Sequence, residues 1–417
     1  MRHYQIMIAG GGTAGITVAA QLIRKDKRLS IAIVEPSENH YYQPAWTLVG
    51  AGTFDYQKTI RKEKDIIPKG VHWIKDRVLS LHPDNNEVVT EKNGSYSYDI
   101  LLVVPGLVND LEAIEGLSNA LGKGSVCSIY TDPQHAWKVI SSFKGGNAIF
   151  TQPAAPIKCG GAPQKIMYMA EHHFRKRGIR NEVNVAFFTP GTVIFGTPEF
   201  AKTLNRIIEE RKIIFKPFHK PTSIDADNKV ITFEYTHKNH EVAPDDPVLN
   251  ETIEGRKVEV PYEMLHLAPP QRTPDFVRNS NLVFTEGAQK GMVNVDIHSL
   301  QHMHYANVFS IGDAAGLPTA KTGAAIRKQA PVVVENIIQF LKNGNLSDLK
   351  YEGYSSCPIL TGYGSMLLAE FKYGNVRDSD PWITKFVDTT KEQFSMWLLK
   401  KYGLPFLYWN FMLKGRM

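Results

Sequence analysis

Tyr4-Gln5-Ile6-Met7-Ile8-Ala9-Gly10-Gly11-Gly12-Thr13-Ala14-Gly15 is the stretch whose reading decides the fold. Residues 4–9 read as a short apolar strand. Residues 16–23 carry apolar side chains at helical spacing, and residues 30–34 read as a second strand that ends on Glu35. Strand, glycine turn, helix, strand and acid in that order form a dinucleotide fingerprint. Gly10 permits the tight turn, Gly12 lets the backbone approach a pyrophosphate, and Gly15 lets helix and strand pack closely. The N–H groups near Thr13 and Ala14 point at the phosphates from the positive end of the helix. Glu35 lies 20 residues beyond Gly15 and can accept from ribose hydroxyls.

Outward from that unit, residues 99–106 form another apolar strand, ending at Pro105-Gly106. Residues 307–313 repeat the pattern as Asn-Val-Phe-Ser-Ile-Gly-Asp, an acid after glycine. These two segments resemble the stretches that close the FAD domain in flavoproteins built from two dinucleotide domains. Between them lies a second strand–helix–strand unit, with strands at 147–151 and 183–188 and a helix at 164–177. Its turn, residues 152–163, is proline-rich and contains no Gly-x-Gly-x-x-Gly. Its second strand ends at Thr189-Pro190, without a ribose-binding acid. NAD(P)H binding there is disfavoured. The expected architecture is α/β: two Rossmann-like dinucleotide-binding domains followed by an amphipathic C-terminal membrane-associating segment. Residues 1–110 form the first part of the FAD domain and 111–290 the second Rossmann-like domain. Residues 291–349 return to the FAD domain, with a helix expected to bend at Pro331, and 350–417 form a distinct C-terminal region.

The bulk numbers exclude several classes. A chain of 417 residues with a net charge of +6 has ordinary globular composition. It has no long Lys/Arg tract, so no nucleic-acid partner is expected. No run approaches the ~20 apolar residues of a membrane span, and the first residues read as part of the fold rather than as a secretory signal. Three cysteines, Cys127, Cys159 and Cys357, cannot build a disulfide framework and none sits in a C-x-x-C pair. No metal site is expected.

Cys159 precedes Gly160-Gly161 and a helix start, with Lys158 and Lys165 nearby, a setting that lowers a thiol pKa. Cys357 stands in Tyr354-Ser355-Ser356-Cys357-Pro358, a turn-forming context. Whether the two meet does not follow from spacing. The segments around them, Pro156-Ile157-Lys158-Cys159-Gly160-Gly161-Ala162-Pro163-Gln164-Lys165 and residues 354–363, resemble the active-cysteine segments of sulfide:quinone oxidoreductases. So do Tyr41-Tyr42-Gln43-Pro44-Ala45-Trp46-Thr47-Leu48-Val49-Gly50 and Leu317-Pro318-Thr319-Ala320-Lys321-Thr322. The likeness runs over most of the chain and is nearest to the mitochondrial-type branch.

The resemblance implies FAD contacts at Gly10, Gly12, Thr13, Ala14, Gly15, Glu35, Gln43, Val78, Gly106, Asp313 and Lys321. It implies a redox pair of Cys159 and Cys357, with Cys127 as a third candidate, either assisting or bonded to the flavin. It also implies a reaction. Hydrosulfide attacks the bridged pair at Cys357, the freed Cys159 thiolate passes two electrons to FAD, and FAD passes them to ubiquinone or menaquinone. The sulfane sulfur leaves on a thiol, on sulfite or as polysulfide. Lys321 would stabilise the reduced flavin.

Residues 391–417 are rich in aromatic and basic side chains, split by Gly403 and Pro405 into what read as two short helices lying in a membrane interface. Tyr363, Phe394, Trp397, Phe406, Trp409 and Phe411 are the candidate quinone and membrane contacts. Because the cysteines and FAD contacts lie upstream, removal of this tail is expected to spare flavin reduction. The expected location is peripheral, on the cytoplasmic face of a bacterial membrane, or on the mitochondrial inner membrane if a targeting peptide precedes these residues. A homo-oligomer is left open. Two rival enzymes share parts of this pattern: a type II NADH:quinone reductase, which needs a nicotinamide cradle, and the flavoprotein of a flavocytochrome sulfide dehydrogenase, which needs a haem partner.

Overall fold

The fingerprint strand, Arg2–Ala9, lies at the centre of the first sheet because every residue from Ile6 to Ala9 is buried. Strands buried on both faces read as continuous apolar runs and pair in parallel. In the computed structural model, which describes residues 1–240 and 246–417, this strand runs parallel to Ile31–Val34 on one side and to Gly94–Val103 on the other. Val71–Ile74 extends the sheet beyond Ile31–Val34. Val308–Phe309 pairs with the C-terminal half of Gly94–Val103, so the chain returns to this sheet after leaving it for two hundred residues. The helix Thr13–Lys25 packs against the long helix Gly323–Asn343, which continues unbroken through Pro331 with Thr322 capping its start.

The second sheet is all parallel, in the order Val126–Cys127, Met264–Leu267, Gly146–Thr151, Val183–Phe188 and Ile214–Lys216. Period-two alternation divides its two faces. Ala148, Phe150, Val185 and Phe187 face the helix Ala162–Lys176. Ile149, Ala186, Phe188 and Leu265 face a four-stranded antiparallel sheet of His219–Asp225, Val230–Tyr235, Lys257–Pro261 and Thr252–Glu254.

Two further elements complete the structure. A hairpin, Ser355–Gly362 with Ser365–Lys372, packs its Ile359, Leu360, Met366 and Leu367 into the core of the second unit. Cys357 therefore lies in a strand, paired with Ala369, and not in a turn. Pro358 is tolerated there because the strand is in a hairpin whose edge it forms. The tail also differs from two separated helices. Phe394–Leu398, a π turn Leu399–Gly403 and Leu404–Asn410 follow one another without a break. Pro405 falls in the first turn after the π turn, where a missing N–H costs least. Met396 is buried in the second unit's core, whereas Tyr408, Met412 and Leu413 are buried in the first.

Candidate active site

The dinucleotide cradle is built by backbone conformation and by space. Gly10 takes φ +120°, and a side chain on Gly15 would collide with the Gly10 carbonyl. Nothing lies within 4 Å of the position a side chain would occupy on Gly12 or Gly106. The helix Thr13–Lys25 has no side-chain cap and no acid in its first turn, so its leading N–H groups are open to an anion. Glu35 is held by N–H donors from Gly11 and Ser37, each at 2.8 Å, and burial raises its carboxyl pKa. These features fit the pyrophosphate and ribose of a dinucleotide.

The other proposed contacts lie around this cradle in different ways. Val78 is buried in the strand Val78–His82, and Gln43 is exposed in a short 3-10 turn. Asp313 sits in the turn Gly312–Ala314, its carboxyl pushed up by burial against the pull of Lys321 and Lys158. Lys321 is buried and donates to the Ala315 carbonyl at 2.8 Å, and burial lowers it to about 8.

The cysteine loop docks directly on that segment. The Cys159 N–H donates to the Lys321 carbonyl at 2.7 Å, and residues 158 and 321 form a parallel bridge. Cys159 itself adopts φ +50°, a strained conformation for a residue with a side chain. Its carbonyl is held by the Tyr130 hydroxyl at 3.2 Å and by the Ala162 N–H at 2.7 Å. Cys357 arrives from the hairpin, and its thiol lies beside that of Cys159. The Cys357 sulfur occupies the place a side chain on Gly161 would take. Lys165, 2% exposed, donates to the Cys159 sulfur at 3.2 Å. The neighbouring Cys357 thiol and the ammonium groups of Lys165 and Lys400 hold the Cys159 thiol well below the usual range, against burial. Beside that thiolate, Cys357 is pushed well above it. Burial disfavours the charge on Lys165, but the two sulfurs outweigh it and its pKa is raised.

A family described as Pyridine nucleotide-disulphide oxidoreductase matches residues 4–141. The chain is 40% identical over 415 residues to a Mus musculus protein named Sulfide:quinone oxidoreductase, mitochondrial, which covers 99% of this chain and 87% of the relative. A Dictyostelium discoideum protein of the same name is 42% identical over 417 residues, 99% of this chain and 86% of the relative. The chain belongs to the sulfide:quinone oxidoreductase family. The structure of the sulfide:quinone oxidoreductase from Aquifex aeolicus shares its fold, with a TM-score of 0.72 over 98% of this chain and 92% of that one at 20% identity.

In this sulfide:quinone oxidoreductase family member, Cys127 stands apart from the pair's electrostatics. It is fully buried in the strand Val126–Cys127, and burial alone raises its thiol far above the ordinary range. Lys400 is a functional candidate that sequence reasoning counted only among the tail's basic residues. It is 4% exposed, burial lowers it to about 8, and it faces Cys159, Cys357 and Lys165. Its spacing from the apolar positions around it was the available signal: Met396, Lys400 and Tyr408 share the inner side of the tail helix. On the outer side Phe394, Leu398, Tyr402 and Phe406 are exposed. Trp397 stacks on Phe394, Trp409 lies under the Arg61 guanidinium, and Phe411 packs on Phe406. Tyr363 donates to the Ala51 carbonyl at 3.0 Å and packs against His172.

Proposed function

We propose that this chain oxidises hydrogen sulfide to sulfane sulfur through Cys159 and Cys357, with FAD as its bound cofactor and a membrane quinone as electron acceptor. The observation that carries the reading is the meeting of two cysteines from distant segments beside a buried lysine, docked on the segment that holds Asp313 and Lys321. In the oxidised pair, hydrosulfide attacks the Cys357 sulfur. The S–S bond breaks, Cys357 keeps the incoming sulfur as a persulfide, and Cys159 leaves as a thiolate. A thiolate of low pKa is the better leaving group, and Lys165 and Lys400 stabilise its charge. Bound FAD would supply the two-electron acceptor for reoxidation of the pair, with quinone as the final acceptor. Gly10, Gly12, Thr13, Ala14, Gly15, Glu35 and Gly106 would hold its adenosine and pyrophosphate end. Asp313, Lys321, Gln43 and Val78 complete its surroundings. The sulfane sulfur leaves on a thiol, on sulfite or as polysulfide.

The relatives named mitochondrial support a place at the mitochondrial inner membrane. Among the described residues no helix is long and apolar enough to cross a membrane. The outer stripe of the tail instead supports interfacial contact with lipid, from which the quinone would be drawn. The second unit's loop holds Cys159 where a nicotinamide cradle would need glycines, which weighs against an NADH:quinone reductase. In the experiment that tests the whole reading, sulfide bleaches the flavin absorbance within the mixing time of seconds, and NADH does not. Rapid bleaching by NADH, or none by sulfide, rejects it.

A further inference from the structure

Cys159 sits in a left-handed backbone conformation that a residue with a side chain resists, so its neighbours must hold it there. Part of that hold comes from a turn the mechanism above does not use, Ser128-Ile129-Tyr130-Thr131, directly after the strand that carries Cys127. Tyr130 is 6% exposed, and its hydroxyl lies 3.2 Å from the Lys158 carbonyl and 3.2 Å from the Cys159 carbonyl. The Cys159 carbonyl has a second donor in the Ala162 N–H, whereas the Lys158 carbonyl has no backbone donor among the described residues. Burial, and then the charge of the two sulfurs, pushes the phenol well above its usual range, so the hydroxyl keeps its proton and stays a donor.

The turn is itself fixed from behind. Ser128 Oγ accepts from the Tyr130 N–H at 3.2 Å, and the Asp132 N–H closes on the Ser128 carbonyl at 3.0 Å. The Ile129 N–H donates to Nε2 of the fully buried His266 at 3.1 Å. An amide N–H can only donate, so Nε2 is an unprotonated acceptor and the ring is neutral, in accord with burial lowering His266 to about 3. The peptide unit before the Cys159 Cα sets φ and the unit after it sets ψ. Tyr130 touches a carbonyl of each. We infer that Tyr130 is a positioning residue for the sulfide reaction: its hydroxyl bridges the two carbonyls that flank the Cys159 Cα, locks the left-handed conformation, and so keeps the Cys159 sulfur within reach of both Cys357 and Lys165. This rests on the reading of Cys159 and Cys357 as the redox pair.

The test uses the purified holoenzyme and Tyr130→Phe, which keeps the ring and removes the bridge. In the reduced protein, the pH profile of Cys159 alkylation should move upward by about half a unit or more. A sulfur that drifts from Lys165 loses the hydrogen bond and the charge that favour its thiolate. Flavin reduction by sulfide should slow about tenfold to a hundredfold, the loss that a misplacement of about 1 Å can produce, at unchanged flavin content. Tyr168→Phe is the control. Tyr168 is also fully buried, but its hydroxyl has no hydrogen-bond partner among the described residues, and both readouts should stay at wild type. Should Tyr130→Phe fail to hold flavin, Ser128→Ala, which frees the turn, should give the same upward move at smaller size. An unmoved profile or unslowed flavin reduction in Tyr130→Phe, an unmoved profile in Ser128→Ala where it stands in, or an equal change in Tyr168→Phe, overturns the inference. Near-normal sulfide turnover in Cys159→Ser overturns the reading of the pair beneath it.

Discussion

A methyl group on Gly161 would fall on the Cys357 sulfur, and that sulfur cannot retreat because its strand is paired on the hairpin and packed in the core. Gly161→Ala should therefore keep the pair from closing. After air oxidation and unfolding, thiol titration should find one free cysteine in the wild type, Cys127, and three in the variant. A titre of one in Gly161→Ala would mean that the pair does not depend on this approach. Lys400 supplies a second residue-scale prediction. Its ammonium favours the Cys159 thiolate, an influence present below about pH 8 and fading as Lys400 loses its proton above it. Removing the charge must raise the Cys159 pKa. In the reduced enzyme, Lys400→Met should move the pH profile of Cys159 alkylation upward, on the order of one pH unit. An unchanged profile would leave Lys165 as the sole electrostatic partner that matters. Cys159→Ser and Cys357→Ser should each retain flavin and lose most sulfide turnover, while Cys127→Ser should lose little of either.

At the scale of elements, the tail helix has two faces with different duties. Side chains four residues apart overshoot one another by about 40° on an α-helix, so a long i, i+4 stripe would wind away from one side. The wider π turn Leu399–Gly403 offsets that drift and keeps Phe394, Leu398, Tyr402 and Phe406 on the solvent side. Sunk into lipid, four such side chains could contribute several kcal/mol even at partial burial, since each is worth about 1.5–3 kcal/mol when fully buried. Replacing Phe394 and Phe406 with Asp should release the protein from liposomes while flavin content and reduction by sulfide stay near normal. Wild-type binding should survive high salt, because salt screens charge but leaves the apolar contribution. A double variant that still sediments with liposomes would move the membrane surface elsewhere. Removing the whole tail cannot make this separation, contrary to what its position downstream of the cysteines suggests. Truncation would also take away Lys400 and Tyr408 and uncover the cores that Met396, Met412 and Leu413 close.

Across the whole molecule, the hairpin bearing Cys357 is locked to the second unit by charges. Glu171 is fully buried and meets Arg175 at 2.7 Å, Arg180 at 3.4 Å and Arg211 at 3.6 Å. Arg211 continues to Glu392 at 3.1 Å and donates to the Thr361 carbonyl of the hairpin. Arg211→Ala should cost about 3 kcal/mol and lower Tm by several degrees, measured on the holoenzyme by calorimetry. A Tm within a degree of wild type would make the network incidental. How much of this architecture can be read in advance follows from how local its signals are. The fingerprint from Tyr4 to Glu35 is contiguous, so strand, turn, helix and acid are all legible in order. Cys159 and Cys357 are legible only through resemblance, since nothing in their spacing brings them together. Lys400 leaves only the faint signal of its spacing from Met396 and Tyr408, and His40, Glu63 and Arg211 leave none. Each looks like an ordinary surface residue until folding buries it, and burial of a charge is decided by partners far away in the chain. The strand placement of Cys357 was hidden by its Ser-Ser-Cys-Pro surroundings, which favour a turn unless a partner strand supplies the ladder.

The late position of the tail helix has a further consequence, for the newborn chain. Cys159 leaves the ribosome some two hundred residues before Cys357, and both precede Lys400 and Tyr408. Domains tend to fold as they emerge, so the first sheet and the second unit can form while the helix that completes both sites is still being made. During that interval Cys159 has neither its sulfur partner nor its second ammonium, and the Thr13 hydroxyl has no Tyr408 beside it. Sulfur chemistry is thereby withheld from the unfinished polypeptide.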